Sequence, residues 1–327
     1  MRPILAALVL FSAAPAMADV RSAIRDHIVP GYEDFVKAAD ALALAAYDNC
    51  APDHLKGPFN AAWDAWLAVG HIHLGPVEEE GRGLAIAFWP DPKALGAKAQ
   101  RALITGDPAA LEPEAFADQS VAARGFAGLE RLIYDGIDIP DGAHPCPLIR
   151  ATAYDLKRLA REVQAGWHGS TGFAAALLDA GRPGNTRYLS ETEAKQALFT
   201  QLASGLEFVA DQRLGRPLGT FDKPRPERAE ARLSGRSVRN VLLSLQALRD
   251  LAVSLDPQAS ATLAAFDHAI GLAERLDDPD LSGVADPQGW LKVEILQQAV
   301  RATRDAVLAE IAPALGVTVG FNSQDGD

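Results

Sequence analysis

Cysteine is nearly missing from this chain, with only Cys50 and Cys146 among 327 residues. That excludes a thiolate metal site, which needs more cysteines or a close pairing such as C-x-x-C. In an oxidising compartment the two could still form one long-range disulfide tying the end of the first helix to a later one. Positive charge is also scarce: 31 Lys and Arg against 43 Asp and Glu give a net charge of −12. Nucleic acid and anionic membrane surfaces are therefore excluded as partners, whereas cationic ligands and simple solubility both fit. No apolar run beyond the first residues is long enough to cross a bilayer, so membrane insertion is not expected. Also absent are G-x-S-x-G, H-E-x-x-H, a P-loop and a dinucleotide fingerprint. Alternating strand patterns are missing apart from a short one near Val317 to Phe321.

What is present begins with Met1-Arg2, an apolar run from Pro3 to Ala14, and Ala16-Met17-Ala18, the three-part layout of a secretory signal peptide. Cleavage is expected after Ala18, with no cysteine nearby to accept a lipid, which predicts a soluble periplasmic protein. The mature chain then begins at Asp19, a length comfortable for two helical domains.

Apolar residues recur at helical spacing almost throughout, which predicts an all-α fold of two packed, mostly up-and-down bundles with long ordered loops. Helices are expected over Val20 to Tyr47, His54 to Leu74, Lys93 to Thr105, Ser120 to Tyr134 and Pro147 to Trp167, forming an N-terminal bundle over 19–170. A second series, Gly172 to Ala180, Ser190 to Leu214, Ser234 to Leu255, Ala259 to Leu276 and Trp290 to Leu315, forms a C-terminal bundle over 171–327. A Pro- and Arg-rich stretch from Gly215 to Arg232 reads as an ordered surface loop.

Several separated segments carry a family resemblance. They are Ala62-Trp63-Asp64-Ala65-Trp66 running into His71-Ile72-His73-Leu74-Gly75-Pro76-Val77-Glu78, then Ile86-Ala87-Phe88-Trp89-Pro90-Asp91-Pro92-Lys93, then Ser120 through Leu132. Leu214-Gly215-Arg216-Pro217-Leu218, Ser234-Gly235-Arg236-Ser237 and the terminal Gly320 to Asp327 complete the set. In this order they resemble the imelysin-like family, and within it a subgroup with an incomplete motif. The resemblance implies two packed helical bundles, an envelope location and a link to iron uptake or iron-regulated expression. It also implies a proposed peptidase metal signature, G-x-H-x-x-E, which stands here as Gly125-Phe126-Ala127-Gly128-Leu129-Glu130. The histidine is missing.

A His and a Glu three residues apart share a helix face and can reach one cation, but Glu130 alone cannot hold zinc or fix an activated water. Glu130 shares an inward stripe with Phe126 and Ile133, so its carboxylate must be paired, hydrogen-bonded or functional. Gly125 and Gly128 each cost about 1 kcal/mol in a helix, which predicts close approach of a neighbouring helix or a ligand. His71 and His73 point to opposite sides if helical and cannot share an ion unless the helix has ended. His71 is the better site candidate because the resemblance places a similar His in this segment. His27, His54, His144, His168 and His268 have no suggestive neighbours.

The run Glu78-Glu79-Glu80 reads as a solvated helix start, or as a hard-cation site if it faces Glu130. Arg225, Arg228, Arg232, Arg236 and Arg239 form a basic run whose charge must find partners elsewhere, either acidic residues across the bundle junction or an anionic ligand. Ser234 is expected to cap the next helix, aiming Arg236, Arg239 and Asn240 along one face. The terminal Asp325-Gly326-Asp327 lacks the ligands of a calcium loop.

The ligand-site candidates are therefore His71, Glu78, Gly125, Glu130, Arg236 and Asn240, with Glu130 and His71 the metal candidates and iron or another divalent metal the expected ion. The leading functional expectation is a non-catalytic periplasmic protein binding a metal or small ligand at the bundle junction, with other envelope iron-uptake proteins as partners. The alternatives are a metallopeptidase with a substituted ligand and an envelope interaction scaffold.

Overall fold

A computed structural model of the chain describes residues 20–134, 136–137 and 144–318. The expected signal peptide and the segment from Gly320 to Asp327 lie outside the described residues. Twelve helices carry the description: α1 (Val29–Asp48), α2 (Pro52–Leu67), α3 (Arg82–Ile86), α4 (Leu95–Thr105), α5 (Pro113–Ala117) and α6 (Gly125–Ile133). They continue as α7 (Cys146–Trp167), α8 (Phe173–Leu178), α9 (Glu191–Glu207), α10 (Ser237–Leu255), α11 (Ser260–Glu274) and α12 (Pro287–Leu315). Among the described residues there is no strand, only an isolated bridge between Thr220 and Lys223. No described helix is long and apolar enough to cross a membrane.

Local chemistry explains several boundaries. Ser190 opens α9 by accepting from the Glu193 amide (3.2 Å), while Glu193 reaches back to the Leu189 amide (2.7 Å), a variant of the capping box. Asp286 caps α12 ahead of Pro287, whose missing N–H costs nothing at a helix start. The same helix stops at Gly316, which takes a left-handed φ of 67°.

Helices α1, α2, α6 and α7 pack on one another, and α9 to α12 do the same, giving two bundles. The first is centred on aromatic rings. Trp63 stacks on Phe126 at 5.2 Å, and Phe59 and Phe35 meet the same Phe126 ring. Each such pair adds roughly 0.5–1.5 kcal/mol beyond its area. A disulfide joins Cys50, just after α1, to Cys146 at the start of α7. The second bundle meets the first mainly through α10, which packs on α2 and on the π-helical segment Ala23–Ile28 that leads into α1.

Three expected helices are corrected. The second ends at Leu67 rather than Leu74, because residues 68–74 turn back under the second bundle, where the Gln201 side chain accepts from the His73 amide (2.8 Å). The expected helix from Ser120 is broken: a 3-10 turn, Val121–Ala123, precedes Arg124, and α6 starts at Gly125 with φ 61°. Buried Arg124 pins this break with two bonds to buried Asp155 (2.8 and 3.0 Å) and one to the Ala117 carbonyl (2.8 Å). The helix expected from Ser234 begins at Ser237.

A pocket between the two bundles

Where the bundles meet, a pocket of about 470 Å³ opens between them. Trp66 and Leu67 from the end of α2, with Leu84 of α3 and Val77 and Trp89 from the segments on either side of it, form one wall. Gly205 of α9, Phe208, Val209 and Arg213 of the π-helical segment Phe208–Leu214, and Ser244 and Leu248 of α10 form the other. The lining is largely apolar and aromatic with a few convergent polar groups, the usual character of a small-molecule site.

The first polar group is Arg213. Its position comes from the π-helical continuation of α9, a local widening often found at functional sites. Its Nε donates to Glu230 (2.7 Å), a second N–H donates to the Ser244 hydroxyl, and its guanidinium lies 5.1 Å from the centre of the Phe208 ring. Asn240 Nδ2 donates to the same Glu230 oxygen (3.0 Å). Half-buried Arg213 and buried Glu230 therefore neutralise one another in a fixed corner of the pocket.

His71 is the second. With α2 ended, it sits in the 68–74 turn, buried, and its Nε2 lies 3.0 Å from Nε2 of His27 in the other π-helical segment. Burial lowers the His27 pKa to about 4. Burial, with the nearby His27, His73 and Arg213 charges, holds His71 well below the usual imidazole range. Both rings are therefore neutral near pH 7, and one donates to the other. Nδ1 of His71 is buried without a hydrogen-bond partner. His73, which shares no helix with His71, is exposed at the pocket mouth.

Glu78 also reaches the pocket, from the 3-10 turns after Gly75, and accepts from the Gly75 amide (3.2 Å). Glu79 and Glu80 are exposed and pair with Arg82 (3.1 and 3.0 Å). The run is thus the approach to α3, and its pocket face does not meet Glu130.

The other candidates lie beside the pocket. Gly125 is explained by packing: a Cβ there would fall 2.2 Å from the Ile86 carbonyl oxygen and 2.3 Å from that of Ala85. Gly128 is confined in the same way by the Ala123 oxygen at 2.4 Å. Glu130 is buried and accepts from the amide (2.8 Å) and hydroxyl (2.6 Å) of Ser234. Burial raises its pKa, and the Ser234 bonds oppose that rise. Ser234 is accordingly a tether between the bundles and not a helix cap. Arg236, buried, donates to Asp64 and to Asn60 (3.1 Å) of α2, and Arg239 donates to the same Asp64 (3.0 Å). The basic run therefore spends these two charges on pairing across the junction.

His71 and Glu78 share the pocket, with Asn240 one bond behind it, while Gly125, Glu130 and Arg236 form the adjoining seam. The expected metal pair, His71 and Glu130, is not brought together. Among the described residues no three His, Cys, Asp or Glu side chains converge to hold a metal ion. A family model described as Imelysin, a peptidase family, matches residues 28–307. The chain belongs to the imelysin family.

Solved structures repeat the imelysin fold. An imelysin-like protein from Psychrobacter arcticum 273-4 is 20% identical, with a TM-score of 0.74 over 92% of this chain and 96% of that one. A putative iron-regulated protein A precursor from Parabacteroides distasonis ATCC 8503 is 14% identical, with a TM-score of 0.72 over 92% and 97%. No curated protein matches the sequence. Within this imelysin-family chain, sequence reasoning missed His27, Arg213, Glu230 and Ser244. None stands in a motif, and only the two π-helical segments and the bundle contact bring them to the junction.

Proposed function

We propose that this imelysin-family chain is a periplasmic, non-catalytic binding protein that takes a small ligand, or an iron ion carried with one, in the pocket between its bundles. The observation that carries the reading is the pocket itself, with apolar walls from both bundles and His71, Glu78, Arg213 and Glu230 on its lining. His71 and Glu78 offer two donors, so an iron ion there would keep its remaining positions filled by water or by a chelating ligand. An iron context is supported by the solved relative named as iron-regulated. The disulfide between Cys50 and Cys146 supports an oxidising compartment such as the periplasm.

Peptide hydrolysis is not part of the proposal. The motif position of the histidine holds Ala127, and Glu130 is engaged by Ser234 outside the pocket that His71 lines. The test is equilibrium binding of ferrous, ferric, copper and zinc ions, each alone and with citrate, to the mature protein, His71→Ala and Glu78→Gln. One stoichiometric site weakened at least tenfold by either substitution is expected. Binding indifferent to both would overturn the reading.

A further inference from the structure

The contact between His27 and His71 decides which atom of His71 a ligand meets. Their Nε2 atoms lie 3.0 Å apart, so one hydrogen bond with one proton joins two buried rings. His71 lines the pocket between the bundles, and of the lining residues it alone holds a buried side-chain nitrogen or oxygen with no hydrogen-bond partner, its Nδ1. His27 lines a different pocket of about 500 Å³, bordered by Asp26, Asp34, Asp64 and Asp250, and its Nδ1 is not among the buried atoms left without a partner. It is carried there by the six-residue π-helical segment Ala23–Ile28, a local widening frequent at functional sites.

The two arrangements of the shared proton differ. If His27 donates, His71 carries its own proton on Nδ1, a buried N–H with no acceptor, which folded proteins rarely contain. If His71 donates, His27 carries its proton on Nδ1, where water in the second pocket accepts it, and Nδ1 of His71 is left with a lone pair. The second arrangement orphans no donor. We propose that His27 is a positioning residue for the ligand site: it accepts the Nε2–H of His71 and so presents the Nδ1 lone pair of His71 to a metal ion in the pocket between the bundles.

This inference rests on the binding role of the pocket and deepens it, by naming the coordinating atom and a residue that holds it without touching the ion. A histidine that ligates a metal commonly donates its other N–H to an acceptor that fixes ring and tautomer. A lone pair at Nδ1 also repels a ligand carboxylate, so a chelating anion meets His71 only through the ion it carries.

The first test needs no ligand: proton–nitrogen correlation spectra of the imidazoles in the metal-free mature protein. His71 should carry its proton on Nε2 and His27 on Nδ1. Zinc ion, a diamagnetic probe, should then shift the His71 Nδ1 resonance most. Zinc affinity should fall about 10–100-fold in His27→Phe, which keeps a ring but offers no acceptor. It should be largely restored in His27→Gln, whose amide oxygen accepts in the same place, whereas a purely structural role predicts equal weakening in both. His71 protonated on Nδ1 in the metal-free protein would overturn the inference. Zinc binding weakened by Glu78→Gln but not by His27→Phe would remove His27 and leave the pocket reading intact, and a wild type that binds no ion in the pocket would overturn both.

Discussion

The imidazoles of His27 and His71 meet Nε2 to Nε2 at 3.0 Å, one ring from the segment that leads into α1 and the other from the turn after α2. His27 stands in no motif and His71 only in a segment of the family resemblance, yet the contact sets His71 on the lining of the pocket between the bundles.

Stability is expected to fall as pH falls through this pair. The folded pKa of His27 is about 4, against 6.5 when unfolded, so the unfolded chain binds the extra proton between those values. The stabilisation is present above pH 6.5 and lost by about pH 4, and His27 alone is worth about 3 kcal/mol. Urea denaturation from pH 4 to 8 should show this slope in wild type and a shallower one in His27→Gln. Equal slopes would contradict the assignment.

Glu130 should behave in the opposite sense. Its folded pKa is raised by burial, so its contribution favours folding below the unfolded value of 4.5 and is lost as pH rises through the folded one. Glu130→Gln keeps an oxygen for Ser234 and removes the buried charge, so it should be at least as stable as wild type at pH 7. Glu130→Ala leaves the Ser234 donors unmatched and should cost about 1–3 kcal/mol. Chemical denaturation of the two variants distinguishes them.

Gly125→Ala should be among the most damaging small substitutions. A left-handed φ costs an L-residue roughly 1–2 kcal/mol, and the added methyl would also press on two backbone oxygens that cannot move independently. A loss of more than about 2 kcal/mol in urea is expected, whereas Ala127→Gly in the same motif should cost about 1 kcal/mol.

The disulfide closes a sequence separation of 96 residues, so replacing both cysteines with serine should remove about 2–5 kcal/mol. Thermal melts with and without reductant give the same comparison on the wild-type chain.

Much of the fold was legible because helical periodicity and caps are local. Val20 to Tyr47, Lys93 to Thr105 and Pro147 to Trp167 differ by no more than two residues from the observed helical ends, and Glu130 was correctly read as inward-facing and in need of a partner. The errors arose where distant contacts decide. Gly75-Pro76 marks a stop in the sequence, but the chain leaves the helix at Leu67 to place His71 against His27 and the His73 amide on Gln201. Ser234 has the composition of a cap and serves as a donor to Glu130, 104 positions away. Arg213 and Glu230 carry no local signal, and only the π-helical turn and the bundle contact make them a pair.

The central claim is that the pocket between the bundles is where ligand binds, and amide hydrogen exchange of the mature protein with and without ferric citrate tests it most directly. Added protection is predicted in the 68–89 turns and across Phe208–Leu214, on both walls at once. Protection confined to the Gly125 to Glu130 segment, or none anywhere, would contradict it.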